Sequence, residues 1–499
     1  MQHNRIIFLL FISIPAFAYE EDIIYVVNSV TYDIDGITKI YALEYLLDIK
    51  EGEEIKGLSS LENLIQEKTQ ILLNERFFES VKIDYSKGQV RNDGKCPVDL
   101  FVSVKDSWNI FAFPYPHYDD NTGFSITLKA RDYNFFGTMN PLKLDLGYSF
   151  AQDRKSSFSF IVDSDIPFKF LGLYWIIDFD NSLKYRVAKE EPWFYSNTTG
   201  ISAEFPVNAA AFTIGFSESI YLNEENPSYR HNEYGQFQKG VYLSSSPYLN
   251  LVVPTGIKND NYGELTYTAG LKAVFNHALQ MRSLADFRRG PFFYFSHGLN
   301  FGRIDWIGNF RKGSALSVNN SFSYNFLNSK NNIQPLGATL DITAVSHIIF
   351  NEFSGLSARL MYRSWFLQDY NKNESSAADA LRGIIDDAVK ADYMISLNID
   401  IPVRILKFRT SGGTGNFSRV FDFDLHMAPL FDAAFFHDPE INTSFGYDNL
   451  IFTGGMELII FPQSFRSIFF RVSLAFGSRF LNARAKVSRE LFIGMELFF

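Results

Sequence analysis

The stretch SALSVNNSFSYNF, Ser314 to Phe326, decides the fold. Leu316, Val318, Phe322, Tyr324 and Phe326 share one face, and Ser317, Asn319, Ser321, Ser323 and Asn325 share the other. A period of two is the period of a β-strand, because successive side chains point to opposite faces. The same alternation recurs in PLKLDLGYSF, from Pro141, where Leu142, Leu144, Leu146, Tyr148 and Phe150 oppose Lys143, Asp145, Gly147 and Ser149. In RSIFFRVSLAF, from Arg466, Ile468, Phe470, Val472, Leu474 and Phe476 oppose Ser467, Arg471 and Ser473. Each run has about ten residues, the length a tilted strand needs to cross a bilayer. Alternation also suits a soluble sandwich with one wet face. The aromatic apolar face favours a membrane. So does the polar face: its Lys and Arg would cost about 2–4 kcal/mol each facing lipid at mid-membrane, yet are tolerable in a wet lumen.

Composition agrees. The 499 residues include 52 Phe and 26 Tyr. MQHNRIIFLLFISIPAFAYEED has a basic Arg5, a short apolar core and an Ala16-Phe17-Ala18 site, so residues 1–18 read as a secretory signal peptide. No later run reaches the roughly 20 apolar residues a spanning helix needs. The formal net charge of −10, without a basic block, argues against nucleic acid. The single Cys96 excludes an intramolecular disulfide framework. The eight His show no metal spacing, and SGGTG at Ser411–Gly415 lacks the helix that a phosphate loop needs, so neither enzyme nor cofactor nor metal site is expected.

Residues 19–107 differ. IIYVVNSVTYDI reads as a strand. Thr38 can cap a helix with Ile40, Leu43, Leu46 and Leu47 on one face, and Ser59 or Ser60 can cap a second with Leu61, Leu64, Ile65 and Leu72. FFESVKIDY and VDLFVSVKD read as two strands, giving the order β-α-α-β-β. From 108 to 499 about 18 strand-like runs follow. Two of them, near Val241–Val253 and Tyr262–Phe275, are expected as an extra hairpin inside a connection at 222–290. That leaves a 16-stranded transmembrane antiparallel β-barrel, with 18 strands as the alternative.

Several stretches carry a family resemblance. NERFFESVKIDY, from Asn74, resembles the entrance to the second strand of a POTRA domain. RDYNFFGT (131–138), GISAEFPVN (200–208), LRGI (Leu381, Arg382, Gly383, Ile384) and LFDAAFFHD (430–438) resemble, in order, motifs of the BamA/TamA superfamily of outer-membrane assembly factors. LRGI resembles its sixth-loop V-R-G-F/Y signature, and is followed by acidic residues and the strand YMISLNIDIP. RELFIGMELFF resembles the terminal strand of such barrels, with Leu491, Ile493, Met495, Leu497 and Phe499 outward. There are departures: Ile384 stands where the family has an aromatic, Ala434 where it has glycine, and there is room for one POTRA domain only.

The resemblance implies an outer-membrane barrel with its POTRA domain in the periplasm. It would accept unfolded outer-membrane clients, work with periplasmic chaperones or accessory subunits, contact outer-membrane lipid, and insert clients through a seam between first and last strands. A polypeptide-secretion pore and a passive diffusion channel are the alternatives. It also implies that the sixth loop enters the lumen, where an acidic wall residue holds its Arg. Strand parity in VFDFDLHMAPLFDAAFF independently points Asp422, Asp424, His426 and Asp432 inward and Phe421, Phe423 and Leu425 outward. An Arg382–Asp432 pair is therefore expected, with Asp424 as the second candidate. In NIFAFPYPHYDD, Pro114 and Pro116 remove two donors from one edge of the first barrel strand. Together with Phe498 and Phe499 they are expected to mark the seam.

Overall fold

The computed structural model describes residues 23–119, 123–150, 156–187, 193–207, 209–225, 237–259, 263–279, 290–327, 334–367, 375–376, 380–384, 390–410, 422–437, 449–463, 466–481, 484–495, 497 and 499. The signal-peptide reading, Phe421, Ser411–Gly415, Phe498 and the acidic residues after Ile384 lie outside them.

The N-terminal unit comprises β1 (Ile24–Asp35), α1 (Ile40–Leu47), β2 (Glu54–Lys56), α2 (Leu58–Asn74), β3 (Phe78–Lys87) and β4 (Lys95–Asp106). Its sheet runs β2-β1-β4-β3, with β1 and β4 parallel. Two apolar clusters join helices to sheet, one around Leu43, Leu47, Leu72, Phe78 and Val102, the other around Val27, Leu61, Cys96 and Leu100. The three-residue β2 is too short to leave a periodic signal. Neither helix has a side-chain N-cap: α1 starts after Lys39 and α2 after Gly57. Thr38 instead donates from Oγ1 to Asp106 Oδ1 at 2.6 Å.

The rest is strand. In chain order it comprises β5 (Ile110–Asp119), β6 (Gly123–Asp132), β7 (Leu142–Phe150), β8 (Ser157–Phe170), β9 (Leu173–Arg186), β10 (Trp193–Val207), β11 (Ala210–Glu225) and β12 (Phe237–Asn259). Next come β13 (Gly263–Ala278), β14 (Phe292–Ile307), β15 (Phe310–Asn325), β16 (Leu336–Asn351), β17 (Ser354–Leu367), and a short pair, β18 (Ser375–Ser376) and β19 (Lys390–Ala391). The last are β20 (Tyr393–Asp400), β21 (Val403–Phe408), β22 (Phe423–His437), β23 (Leu450–Pro462), β24 (Phe470–Leu481) and β25 (Arg484–Gly494). Among the described residues, all but the short pair form one closed antiparallel barrel of nineteen segments. β20 and β21 both lie between β17 and β22 and count as one stave broken at Ile401-Pro402, which leaves eighteen around the wall.

The sixteen-stranded expectation is thereby corrected. β12 and β13 are not a hairpin set in a connection. β12 pairs along β11 from Val252 to Phe237, and β13 pairs along β14 from Thr266 to Val274. Pro247 and Pro254 sit at ladder positions opposite Phe216 and Thr266 respectively. Alternation holds along the walls. On β22, Asp424, His426, Ala428, Leu430 and Asp432 are buried while Phe431 is exposed. Neighbouring staves expose Leu360, Ile395, Phe452, Leu458, Val472 and Leu474 in the same way, an apolar outer belt.

The N-terminal unit docks on the turns at one mouth, here the domain end. Asn134, fully buried in the β6–β7 turn, donates from Nδ2 to Thr38 Oγ1 (2.7 Å) and Asp106 Oδ2 (3.2 Å). Lys39 N donates to Gly137 O at 2.8 Å. Gly137 has φ +75°, and a Cβ there would strike the Ile37 carbonyl, so the turn requires glycine. On α1, Tyr45 Oη donates to Glu204 Oε2 at 3.0 Å. Burial, then that carboxylate, pushes its phenol up to about 12. Past α2, Arg76 donates to the carbonyls of Arg466 (2.6 Å) and Gly308 (3.1 Å) and to Asn309 Oδ1 (3.2 Å), with its guanidinium 4.2 Å over Trp306. Burial, then Arg466, pushes that guanidinium down to about 10, so it stays cationic at neutral pH.

Candidate functional site

Three wall carboxylates converge inside the barrel. Asp400 on β20, Asp432 on β22 and Glu457 on β23 sit at inward strand positions and are buried. Uncompensated, they would be expensive to bury. Two cations answer them. Arg471 on β24 donates from Nη1 to Glu457 Oε1 at 2.9 Å. Arg382 comes from the loop joining β17 to β20 at the far end, opposite the docked unit.

Arg382 is 4% exposed. Its Nε donates to Asp432 Oδ2 at 3.0 Å and its Nη2 to Asp432 Oδ1 at 2.5 Å, a bidentate fork. Its backbone N–H adds a third bond to Asp432 Oδ2 at 2.9 Å. Nη1 donates to Glu457 Oε1 at 3.0 Å and lies 2.7 Å from Asp400 Oδ1. Asn398 connects the site to a further cation: its Nδ2 donates to Ala380 O and its Oδ1 accepts from Arg359 Nε, both at 2.9 Å.

Gly383 faces the last stave. Its N–H donates to Glu490 Oε2 at 2.6 Å, and its carbonyl accepts from Ser488 Oγ at 2.5 Å. With φ +80° and an added Cβ only 3.0 Å from Gly477 N, this position suits no other residue. Leu381 and Ile384 flank the pair and are buried with Met361, Met394, Ala434, Phe436 and Ile451. Ile384 lies against Gly477, where a Cβ would collide with its Cδ1. Ala434 belongs to the same cluster.

The other predicted residues are dispersed. Asp424 takes no part in the Arg382 site. It accepts from Asn309 Nδ2 at 2.9 Å and pairs with Arg409 Nη2 at 2.7 Å, nearer the domain end. Pro114 and Pro116 lie on β5 opposite Leu128 and Ile126 of β6. Tyr133 N donates to Asn109 O, so odd-numbered residues of β5 direct their backbone groups to β6. Even-numbered residues, both prolines among them, face the seam with β25. Phe499 is not on the outer face of the seam, and neither is Leu497. The ladder between β24 and β25 stops at Arg471–Gly494, and parity carries no information beyond the last rung. Leu497 and Phe499 instead line a lumenal cavity.

Sequence reasoning missed Asp400, Glu457, Arg471, Ser488 and Glu490 as members of the site. Their signal was present as inward parity, for instance Ile451, Thr453, Glu457 and Ile459 on β23, but parity does not say which inward charges meet across a barrel.

Fold and site define a class: a closed β-barrel with an α/β unit docked on one mouth and a far-end loop ion-paired within the lumen. No family model and no curated relative matches the chain. Among solved structures, CdiB from Acinetobacter baumannii is similar over 94% of this chain and 74% of that chain, at 12% identity and a TM-score of 0.50. CdiB from Escherichia coli matches over 97% and 93% at 10% identity and 0.43. BamA from Haemophilus ducreyi lacking POTRA domains 1–3 matches over 94% and 84% at 12% identity and 0.42. At such identities likeness speaks to the fold alone, and the 0.50 match supports the barrel.

Proposed function

We propose that this chain is an outer-membrane assembly factor of the BamA/TamA type. The N-terminal unit is its single POTRA domain and lies in the periplasm. It receives unfolded outer-membrane clients from chaperones or accessory subunits and feeds them to the seam between β5 and β25, where they pair and enter the lipid. Burial of apolar surface and pairing of backbone provide the driving force, so no cofactor or catalytic group takes part.

The observation that carries this reading is the double hold of Arg382-Gly383. The arginine is tied to Asp432, Glu457 and Asp400 on the fixed wall, and the glycine to Glu490 and Ser488 on the strand that borders the seam. A passive channel gains nothing from a loop that grips its last strand. The seam edge of β5 supports the reading too, since Pro114 and Pro116 leave it without two donors.

Depletion of the protein followed by a census of outer-membrane proteins tests the proposal. Broad loss of barrels supports it. Loss of one exported product assigns a secretion pore instead, and an unchanged census with altered small-solute uptake assigns a channel.

A further inference from the structure

The outer wall is not apolar throughout. On β11 the inward positions carry Ser217 and Ser219, both buried, so Phe212, Ile214, Phe216, Glu218, Ile220 and Leu222 face outward. Phe216 and Ile220, on either side of Glu218, are exposed. Register extends the row: Glu218 pairs with Thr199 of β10 and with Ser245 of β12, which therefore share its face. Two residues toward the far end on β10, Asn197 pairs with Asn181 of β9. These five polar side chains make one patch across four staves, bordered by the exposed Ile201, Phe216, Ile220 and Phe275.

The patch is not at a rim. Trp193 and Tyr195 begin β10 on the outer face, with Trp193 against Tyr185 at 4.4 Å, an aromatic girdle at the far end. Glu218 lies four residues in from Leu222, the partner of Tyr195, and six from Phe212. At ~3.4 Å per residue and ~40° of tilt these are depths of about 10 and 16 Å, well inside an apolar band of roughly 25 Å. Among the described residues Glu218 has no hydrogen-bond or ion-pair partner. Asn181 Oδ1 is buried without one. Asn197 Nδ2 reaches the Asp180 carbonyl at 3.5 Å, and Thr199 Oγ1 donates to Asn197 Oδ1 at 3.2 Å. A carboxylate and unpaired amide groups that face hydrocarbon are costly.

We propose that this patch is a subunit interface within the membrane, and that a second copy of this chain covers it. The patch complements itself. Glu218 and Asn181 Oδ1 are acceptors, and Ser245 Oγ with the amide groups of Asn181 and Asn197 are donors. Two copies inserted in the same direction bring these groups to the same depth. A two-fold axis along the membrane normal then sets the Glu218 of each copy against the donors of the other. In lipid, apolar surfaces gain little by meeting, so association rests on such hydrogen bonds and on close packing of Ile201, Phe216 and Ile220 around them. β11 stands six staves round from β5, so the interface leaves the seam uncovered. The inference does not depend on what the barrel assembles or conducts.

The experiment counts copies of the full chain in dilute lipid vesicles by single-molecule photobleaching. The fluorophore sits on Glu51→Cys, an exposed position of the N-terminal unit, while the native Cys96 is buried. Two-step bleaching above the random-capture baseline is expected. Glu218→Leu should raise the protein-to-lipid ratio needed for pairing by about tenfold or more, because the two-fold doubles the loss. Glu218→Gln, which keeps an acceptor, should change it far less. Asn197→Leu serves if Glu218→Leu fails the heat-modifiable mobility check for a folded barrel. Thr199→Cys should be joined to its copy by a short bis-maleimide, and Leu360→Cys on the outer face of β17 should not. Single-step bleaching of the wild type overturns the second copy. So does pairing that neither leucine variant weakens, or cross-linking at Leu360→Cys as fast as at Thr199→Cys. Single-step bleaching together with a Thr199→Cys adduct to a different protein in native membranes overturns it as well and assigns the patch to that partner.

Discussion

Arg382→Ala removes a cation that three wall carboxylates share. Asp432 is 0% exposed and loses two side-chain bonds to the guanidinium. Glu457 keeps Arg471, but Asp400 loses its ion pair at 2.7 Å. Breaking a buried pair by deleting one partner costs about 3–5 kcal/mol, because the other charge stays desolvated. The closed ladder does not depend on this residue, so the cost falls on docking of the loop, not on the barrel. At about 1.4 kcal/mol per decade, the open fraction of the loop rises by roughly two to three and a half decades. Two measurements read it: exchange of the Gly383 amide, which donates to Glu490, and the rate of proteolytic nicking between β17 and β20. Heat-modifiable gel mobility should show the barrel intact. Arg382→Lys keeps the charge and loses the fork, so it should fall between wild type and alanine. Combining Arg382→Ala with Asp432→Ala should cost clearly less than the sum of the single changes, because the orphaned carboxylate is gone. If Gly383 exchange and nicking are the same in Arg382→Ala as in wild type, the pair does not hold the loop and the argument collapses.

Three further outcomes are expected. Gly137→Ala strains a residue at φ +75° and drives a methyl into the Ile37 carbonyl. It should undock the β6–β7 turn at a cost of about 1–3 kcal/mol, seen as faster proteolysis between the N-terminal unit and β5. Arg76→Ala deletes three hydrogen bonds and the stack on Trp306, so a cysteine cross-link between α2 and the β14–β15 turn should form less efficiently while the barrel melts unchanged. Gly477→Ala meets Ile384 and should raise Gly383 exchange by about tenfold or more, with Ile384→Val restoring part of the loss.

Much of this architecture is written locally. The period of two in Ser314–Phe326 needs no tertiary information, and β15 spans Phe310–Asn325. Parity likewise put Asp432 in the lumen, since one inward residue on a strand fixes every second neighbour. What is not local was lost. β12 and β13 read as strands, but only their pairing with β11 and β14 shows that they stand in the wall and not in a connection. The carboxylates that share Arg382 come from three staves, and no spacing in the chain encodes that they converge. Thr38 illustrates a third kind of loss. It has the chemistry of a helix cap, but Asp106 and Asn134 compete for its hydroxyl, and the tertiary bonds win.

The two halves of the seam stand on different physics. Toward the far end, β25 is held twice, by its ladder to β24 and by Gly383 through Glu490 and Ser488. Toward the domain end the described β24–β25 ladder ends at Arg471–Gly494, Pro114 and Pro116 offer no donors, and Leu497 and Phe499 line the lumenal cavity. That half adjoins the mouth on which the N-terminal unit docks through Asn134 and Arg76. On the proposed function, a client strand handed over by this unit meets the donor-poor half of β5 first and the gripped half of β25 last. The same proposal has opening proceed from the domain end and stop at the loop, with Arg382-Gly383 as the hinge pin that sets the order in which the seam yields.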